Sequence, residues 1–458
     1  MVRNNIRIII STFLVLLLIG GCKVGPNYKQ PKYDLGNNYR FAKTADSLSL
    51  ADTSWTNLFA DPVLQALIRK GLDNNFDLKI AFERVNQAQA SFKQARAAIW
   101  PSVGASADGS LNNLQVPYQG GSTMSYNDLY AVGNLSWEID IWGKLRRSKE
   151  SARAQMFSQE AYRQSVYISL IAEIATAYFS LLDYRDEVQI TRETVRIREM
   201  GLELVKGKLL AGTVSGLTVA QAEAELAQVR TQLPALEKAA GIQENALKLL
   251  LGELPGEIVA GDSITKQINA GIIPTAGIPA QLIVRRPDII AAEQQLVSAN
   301  AEIGVARAMM LPTLSINANA GYSTLGAGWI GSAVGSLVAP IFSFGKLRAN
   351  VKKTQAYKEE ILITYQKSIY TAISEVSDGI LSVEKQKTVT MESRNLTAAA
   401  QTAFDLANQL FDAGYASYLD VIDVQRQLYS AQINESQSHY YELSSIVNLY
   451  KALGGGWK

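Results

Sequence analysis

The chain of 458 residues contains one histidine, His439, and one cysteine, Cys22. A histidine-rich metal site, a CxxC redox pair and an internal disulfide framework all need more than this. The usual nucleophile–base arrangements have almost no imidazole to work with, so an enzyme with a cofactor or metal centre is not expected. His439 is expected on the surface of a helix. Charge of one sign is also scarce. The formal net charge is +2, and loss of residues 1–21 removes Arg3 and Arg7 and brings it to zero. No basic surplus is left to hold a phosphate backbone, so no nucleic-acid partner is expected. After the N-terminus no run of eighteen apolar residues occurs, which removes a spanning helix from the mature chain and leaves acylation or a β-barrel as routes to a membrane.

The N-terminus itself carries a different signal. Arg3 and Arg7 precede IIISTFLVLLLI, an apolar run of signal-peptide length, and Gly20-Gly21 then lead into Cys22. Small residues before the one cysteine suit cleavage there, and the stretch resembles the lipobox of bacterial lipoproteins, with Cys22 as the acylated residue.

The remainder is written twice. GKLR at Gly143–Arg146 returns 202 residues later at Gly345–Arg348. Ala211-Gly212 and Leu251-Gly252 return at the same spacing as Ala413-Gly414 and Leu453-Gly454. Pro101 in AAIWPSV matches Pro312 in AMMLPTL, with nine extra residues in the first copy. Two copies are too few for a solenoid, so the chain is a duplicated unit.

Lys144–Leu210 is 67 residues without proline, rich in Ala, Glu, Gln, Arg and Leu, and reads as one helix roughly 100 Å long. Ile174, Leu181, Val188, Val195, Leu202 and Leu209 recur every seven residues, as in a coiled-coil seam. The second copy has Val376, Val383, Thr390, Thr397, Phe404 and Phe411 in that column. Pro62–Ile99, with Asp61 as N-cap, and Leu217–Leu251 read as shorter helices that together match the long one. Pro287–Met310 and Tyr418–Leu453 do the same in the second copy.

Between the helices the periodicity changes to two. Val103, Ala105 and Ala107 alternate with polar residues, as do Leu135, Trp137, Ile139 and Ile141, and Leu314, Ile316, Ala318, Ala320 and Tyr322. Ser336–Phe344 is expected as a fourth strand although it alternates poorly and holds Pro340, and Asn112–Asn127 is expected as a loop. Four strands cannot close a barrel, and an open sheet edge is not tolerated in lipid, so in a membrane several chains must share one barrel. A small soluble sandwich capping a coiled coil fits the same alternation. Trp100, Trp137, Trp142 and Trp329 fit interfacial girdles or core packing.

Cys22 followed by Val24-Gly25-Pro26-Asn27-Tyr28 and Pro31, the run Arg285-Arg286-Pro287-Asp288-Ile289, and the duplicated GKLR and Ala-Gly elements resemble the TolC-like outer-membrane factor family, in its lipoprotein branch of efflux channels. The resemblance spans the mature chain. It implies an α plus membrane-β fold, in which a homotrimer shares a 12-stranded outer-membrane β-barrel continuous with a periplasmic α-barrel. It also implies a periplasmic adaptor and an inner-membrane pump of the resistance–nodulation–division class as partners, with passive flow through the duct. The corresponding organisation is a signal peptide 1–21, a lipidated segment 22–61, a first repeat 62–252 with strands in about 101–142, a linker 253–286, a second repeat 287–454 with strands in about 312–344, and a tail 455–458. Outer-membrane lipid is the partner of acylated Cys22, and no cofactor or metal is implied.

The two Gly-centred turns, at Gly212 and at Gly414-Tyr415, differ in one respect. Asp420 and Asp423 follow the second, whereas Thr218 and Gln221 occupy the same places after the first. The resemblance makes Asp420 and Asp423 a periplasmic gate, two stacked rings of carboxylates in a trimer that select by sign. Ser417-x-x-Asp420 is equally the spacing of a capping box, which accounts for Asp420 alone. No basic residue follows Gly414 within the turn, and Arg285-Arg286 reads as a helix start that pairs locally. A type I secretion duct and a non-conducting coiled-coil lipoprotein are the rival readings. The seven methionines form no ladder of soft ligands, and the exported substrate is not legible.

Overall fold

A computed structural model describes residues 23–42, 49–115, 123–259, 261, 264–268, 275–324 and 328–456, with backbone alone over 111–115 and 123–127. Cys22 and the signal segment 1–21 lie outside the described residues.

In chain order the main elements are α1 (Pro62–Asn74), α2 (Phe76–Ala97), β1 (Ser102–Gln115), β2 (Thr123–Ile139), α3 (Lys144–Leu210) and α4 (Gly216–Leu250). The second copy supplies α5 (Pro287–Ala308), β3 (Thr313–Ser323), β4 (Gly328–Val338), α6 (Lys346–Asp412) and α7 (Tyr418–Ala452). The two long helices are 67 residues each and α4 and α7 are 35 residues each, so the duplication holds at the level of elements. It holds at their ends too. Gly143 and Gly345, Gly212 and Gly414, and Gly252 and Gly454 all take positive φ, between 68° and 83°.

The chain divides into two compact units, each drawing on both copies. One comprises the described part of Met1–Tyr33 with Glu83–Glu160 and Ala291–Lys367; the other comprises Asp34–Phe82, Ala161–Ile290 and Ser368–Lys458. The first unit contains the sheet. Its order is β1-β2-β3-β4, antiparallel throughout, and Trp137↔Ile316 pairs a strand of the first copy with one of the second. The fourth strand is displaced from the expected Ser336–Phe344. It begins at Gly328 and ends at Val338, because Pro340 has no N–H to give the ladder. The described part of the expected loop Asn112–Asn127 is also strand. The ladder continues from Leu111↔Asn127 to Gln115↔Thr123, since backbone pairing does not require apolar side chains. Trp137 and Trp142 are fixed by hydrogen bonds from their indoles to the carbonyls of Ile99 (3.0 Å) and Pro312 (2.7 Å). Trp100 and Trp329 are instead 70% and 85% exposed, which removes packing within the chain's own core as their role.

The second unit holds most of the seam. Ile174, Leu181, Val188, Leu202, Val376 and Phe411 are buried, as the heptad spacing requires. Thr390 is buried among them, with its hydroxyl donating to the carbonyls of Gln386 (3.0 Å) and Ser438 (3.2 Å). By length and composition α3 could cross a membrane, but Ile168, Ile171, Ile174, Phe179 and Leu181 are buried inside the protein, as in a core helix.

Two expectations are corrected here and one is extended. Pro62–Ile99 is not one helix: Asn75 breaks it, its Oδ1 accepting from the Leu78 N–H (3.0 Å) to cap α2 and its amide donating to the Leu250 carbonyl (2.9 Å) at the end of α4. Arg286 does pair with Asp288 (2.7 Å), but it also reaches Glu375 (2.6 Å) and the Ala452 carbonyl (2.9 Å), tying the start of α5 to α6 and to the C-terminus of α7. His439 is more enclosed than an ordinary surface residue. Its side chain is largely buried on α7, and burial lowers its pKa by penalising the charged imidazole.

Candidate functional site

The two tip turns are built by the same backbone bonds. In the first, the N–H groups of Gly212 and Thr213 donate to the carbonyls of Leu209 (2.9 Å) and Lys208 (3.0 Å). In the second, those of Gly414 and Tyr415 donate to Phe411 (3.1 Å) and Leu410 (2.8 Å). Each glycine takes the left-handed conformation that closes a helix end at no Cβ cost, with φ of 74° at Gly212 and 79° at Gly414.

The side chains then separate them. Ser417 caps α7: its hydroxyl accepts from the Asp420 N–H (3.3 Å), while Asp420 Oδ2 accepts from the Ser417 N–H (2.8 Å) and hydroxyl (2.7 Å). These bonds to the ionised form hold the exposed Asp420 carboxyl below the usual aspartate range. Ser215, its counterpart, makes no side-chain cap bond and lies 3.3 Å from the Thr218 hydroxyl. Asp420 is therefore a capping residue by geometry.

Asp423 is outside the cap and belongs to an ionic network. Arg426 donates to Asp423 Oδ1 (3.4 Å) and also to Glu225 on α4, while Arg198 on α3 lies 3.1 Å from Glu225 Oε2 and donates to the Glu225 carbonyl (2.6 Å). Arg198 and Glu225 are buried, and the bond from Arg426, reinforced by Arg198, lowers the Glu225 pKa against the opposing effect of burial. Below this network the tips share one apolar cluster, with Leu202, Val205, Ala222 and Leu226 of the first hairpin against Ala407, Phe411, Tyr418, Val421 and Ile422 of the second. The basic residue missing from the second turn is supplied by the first copy. Lys208 donates to the Phe411 carbonyl (3.4 Å) and its ammonium stands 3.8 Å from the centre of the Phe411 ring. Tyr415 is exposed at the turn.

The structure thus places Asp420 and Asp423 together, one turn apart on an exposed face of α7. The sequence pattern did not reveal Arg198, Glu225, Lys208 or Arg426 as partners. Arg426 carried a local signal, three residues beyond Asp423, but Glu225 lies 201 residues before it and nothing in the pattern joins them.

A profile of the outer membrane efflux protein family matches residues 67–253 and 278–455. The chain belongs to that family. It is 33% identical to the solvent efflux pump outer membrane protein SrpC of Pseudomonas putida, over 96% of this chain and 97% of the relative. It is 32% identical to the pyoverdine export outer membrane protein OpmQ of Pseudomonas aeruginosa, over 98% of this chain and 97% of the relative. The solved open state of the MtrE outer membrane channel of Neisseria gonorrhoeae superposes with a TM-score of 0.86 at 26% identity, covering 95% of this chain and 99% of that one. The long helices and four strands are those of an outer-membrane efflux channel chain, and its family is one of transport channels.

Proposed function

We propose that three copies of this chain close their strands into one 12-stranded barrel and form the exit duct of a tripartite efflux system. A periplasmic adaptor joins the duct to an inner-membrane pump of the resistance–nodulation–division class, and acylated Cys22 anchors it in outer-membrane lipid. Flow through the duct is passive. The observation that carries the gate is the contrast between two turns of one backbone geometry, of which the second alone is followed by Asp420 and Asp423. A carboxylate at a helix cap needs no second acid one turn on. Three chains around an axis would give two rings of negative charge, which attract cations and oppose close approach of the tips. The Arg198–Glu225–Arg426 network and Lys208 supply the opposing force, holding each chain's second hairpin to its first.

Single-channel current in a planar bilayer, wild type against Asp420→Ala/Asp423→Ala, tests this reading. A small cation-preferring conductance that loses its preference in the double variant supports the channel and the acidic gate. Conductance with unchanged selectivity returns both aspartates to capping and local pairing. Folded, inserted protein that conducts nothing overturns the duct.

A further inference from the structure

Among the described residues the largest fully buried side chain is a cation, Arg147 in the first turn of α3, with no exposed surface. Its acceptors come mostly from the segment that follows Cys22. Nε donates to the Val24 carbonyl (3.1 Å), and Nη2 to the Gly25 carbonyl (2.9 Å) and Asn27 Oδ1 (3.0 Å). Nη1 donates to Glu150 (3.0 Å), which also pairs with Lys23 (2.5 Å). The same segment is held along its length. The Val24 N–H donates to the Trp142 carbonyl (3.0 Å), Asn300 donates to the Pro26 carbonyl (2.9 Å), and Tyr28 donates to Glu293 (3.0 Å).

Two glycines let the strap lie this close. Gly25 has φ of 99°, and a Cβ there would stand 2.5 Å from the Gly304 Cα. A Cβ on Gly304 would stand 2.8 Å from both Arg147 and the Val24 carbonyl. The duplication supplies an internal comparison. The residue matching Arg147 in the second copy is Ala349, and no atom lies within 4 Å of a Cβ built on Gly345, where Gly143 has Lys23 at 3.1 Å. The slot is built once, for the N-terminal strap.

We infer that Arg147 is a positioning residue for the membrane anchor: by clamping Val24–Asn27 it fixes the acylated end of the chain beside the junction of β2 and α3. This rests on the reading of Cys22 as the acylated residue. Lys23, the neighbour of Cys22 in sequence, packs on Gly143, four residues past the end of β2. Acyl chains attached there start at the end of the sheet, so anchor and strands meet one membrane surface. A buried guanidinium makes the clamp firm, because releasing the strap strips three of its acceptors.

The experiment uses full-length protein made in cells, with wild type, Arg147→Gln, Gly25→Ala, Cys22→Ser and the Arg147→Gln/Cys22→Ser pair. Gly25→Ala displaces the strap while leaving Arg147 in place, so it serves if Arg147→Gln fails to fold. Mass spectrometry of the N-terminal peptide reports acylation. Trypsin cleavage after Lys29 and Lys32 reports strap release, and the protease-resistant fraction in outer membranes reports insertion. The expected result is acylation kept in Arg147→Gln and Gly25→Ala, with strap cleavage faster by about tenfold or more, as the loss of charge-assisted hydrogen bonds requires. Insertion should fall to the level of Cys22→Ser, and the pair should be no worse than Cys22→Ser alone. Additive losses in the pair, or a strap still protected in both clamp variants, overturn the inference while leaving acylation intact. A wild-type peptide without acyl chains overturns the anchor reading itself.

Discussion

Asp183 and Glu187 are buried on α3. Ser436 donates to Asp183 Oδ1 (2.6 Å) and Gln437 donates to Glu187 Oε1 (2.7 Å), both from α7. Burial pushes Asp183 up to about 7, with Glu187 and Asp186 adding to the rise and the Ser436 bond opposing it. Burial also raises Glu187 and Asp186. The remaining neighbours of Asp183 include Tyr440 of α7, a neutral group whose own ionisation the carboxylate further disfavours. A carboxyl with a raised folded pKa weakens the fold because the unfolded chain ionises first, so the cost is full above about pH 7, shrinks steadily as pH falls below it and is gone only below the ordinary aspartate range. Asp183→Asn keeps an acceptor for Ser436 and removes the charge. It should raise the thermal midpoint at pH 8 by a few degrees, raise it by less near pH 5, and leave it unchanged near pH 3, where the group is neutral in the folded and the unfolded chain alike. Equal stabilisation at pH 8 and near pH 3 would remove the ionised carboxylate as the cause.

Among elements, the two tip hairpins form a matched pair. Their turns share backbone bonds, but only α7 has a completed capping box. Ser417→Ala should therefore speed hydrogen exchange of the amides in the first turn of α7 by roughly fivefold, the effect of about 1 kcal/mol of lost capping. Ser215→Ala should change the first turn of α4 by much less, since Ser215 makes no side-chain cap bond. Similar effects in both hairpins would mean that the box contributes nothing. The long helices, their seam and the turns were legible because proline absence, heptad spacing and Gly at helix ends are local properties. Three strands were legible from alternation, and the fourth was misplaced because Gly-Ser-rich Gly328–Gly335 hides its period. Asn75 was missed because one polar residue hardly interrupts a helical pattern. At the candidate site the acids stood out by comparing copies, whereas Arg198, Glu225 and Lys208 gain their meaning only from helix packing. The same holds for Arg147, whose acceptors on Val24 and Gly25 lie 123 and 122 residues away.

For the whole molecule, β1 and β4 are the edges of the described sheet. Just past β4, Ile341 and Phe344 are 97% and 90% exposed, whereas their first-copy counterparts Ile139 and Trp142 are partly buried. An apolar segment beside an open edge is a surface for another copy of the chain. Ile341→Ser/Phe344→Ser should lower the fraction of detergent-solubilised protein with the mass of three chains, while helical circular dichroism stays the same. A trimer fraction equal to wild type would place the subunit contact elsewhere.

The open edges also bear on inheritance. A chain with one sound edge and one spoiled edge can still join its neighbours, and the barrel it joins cannot close. In a cell that makes both kinds, the defective product consumes normal ones. Edge lesions in β1 or β4 should therefore behave as dominant alleles, whereas a chain that fails to fold at all leaves its sound siblings free and behaves as recessive.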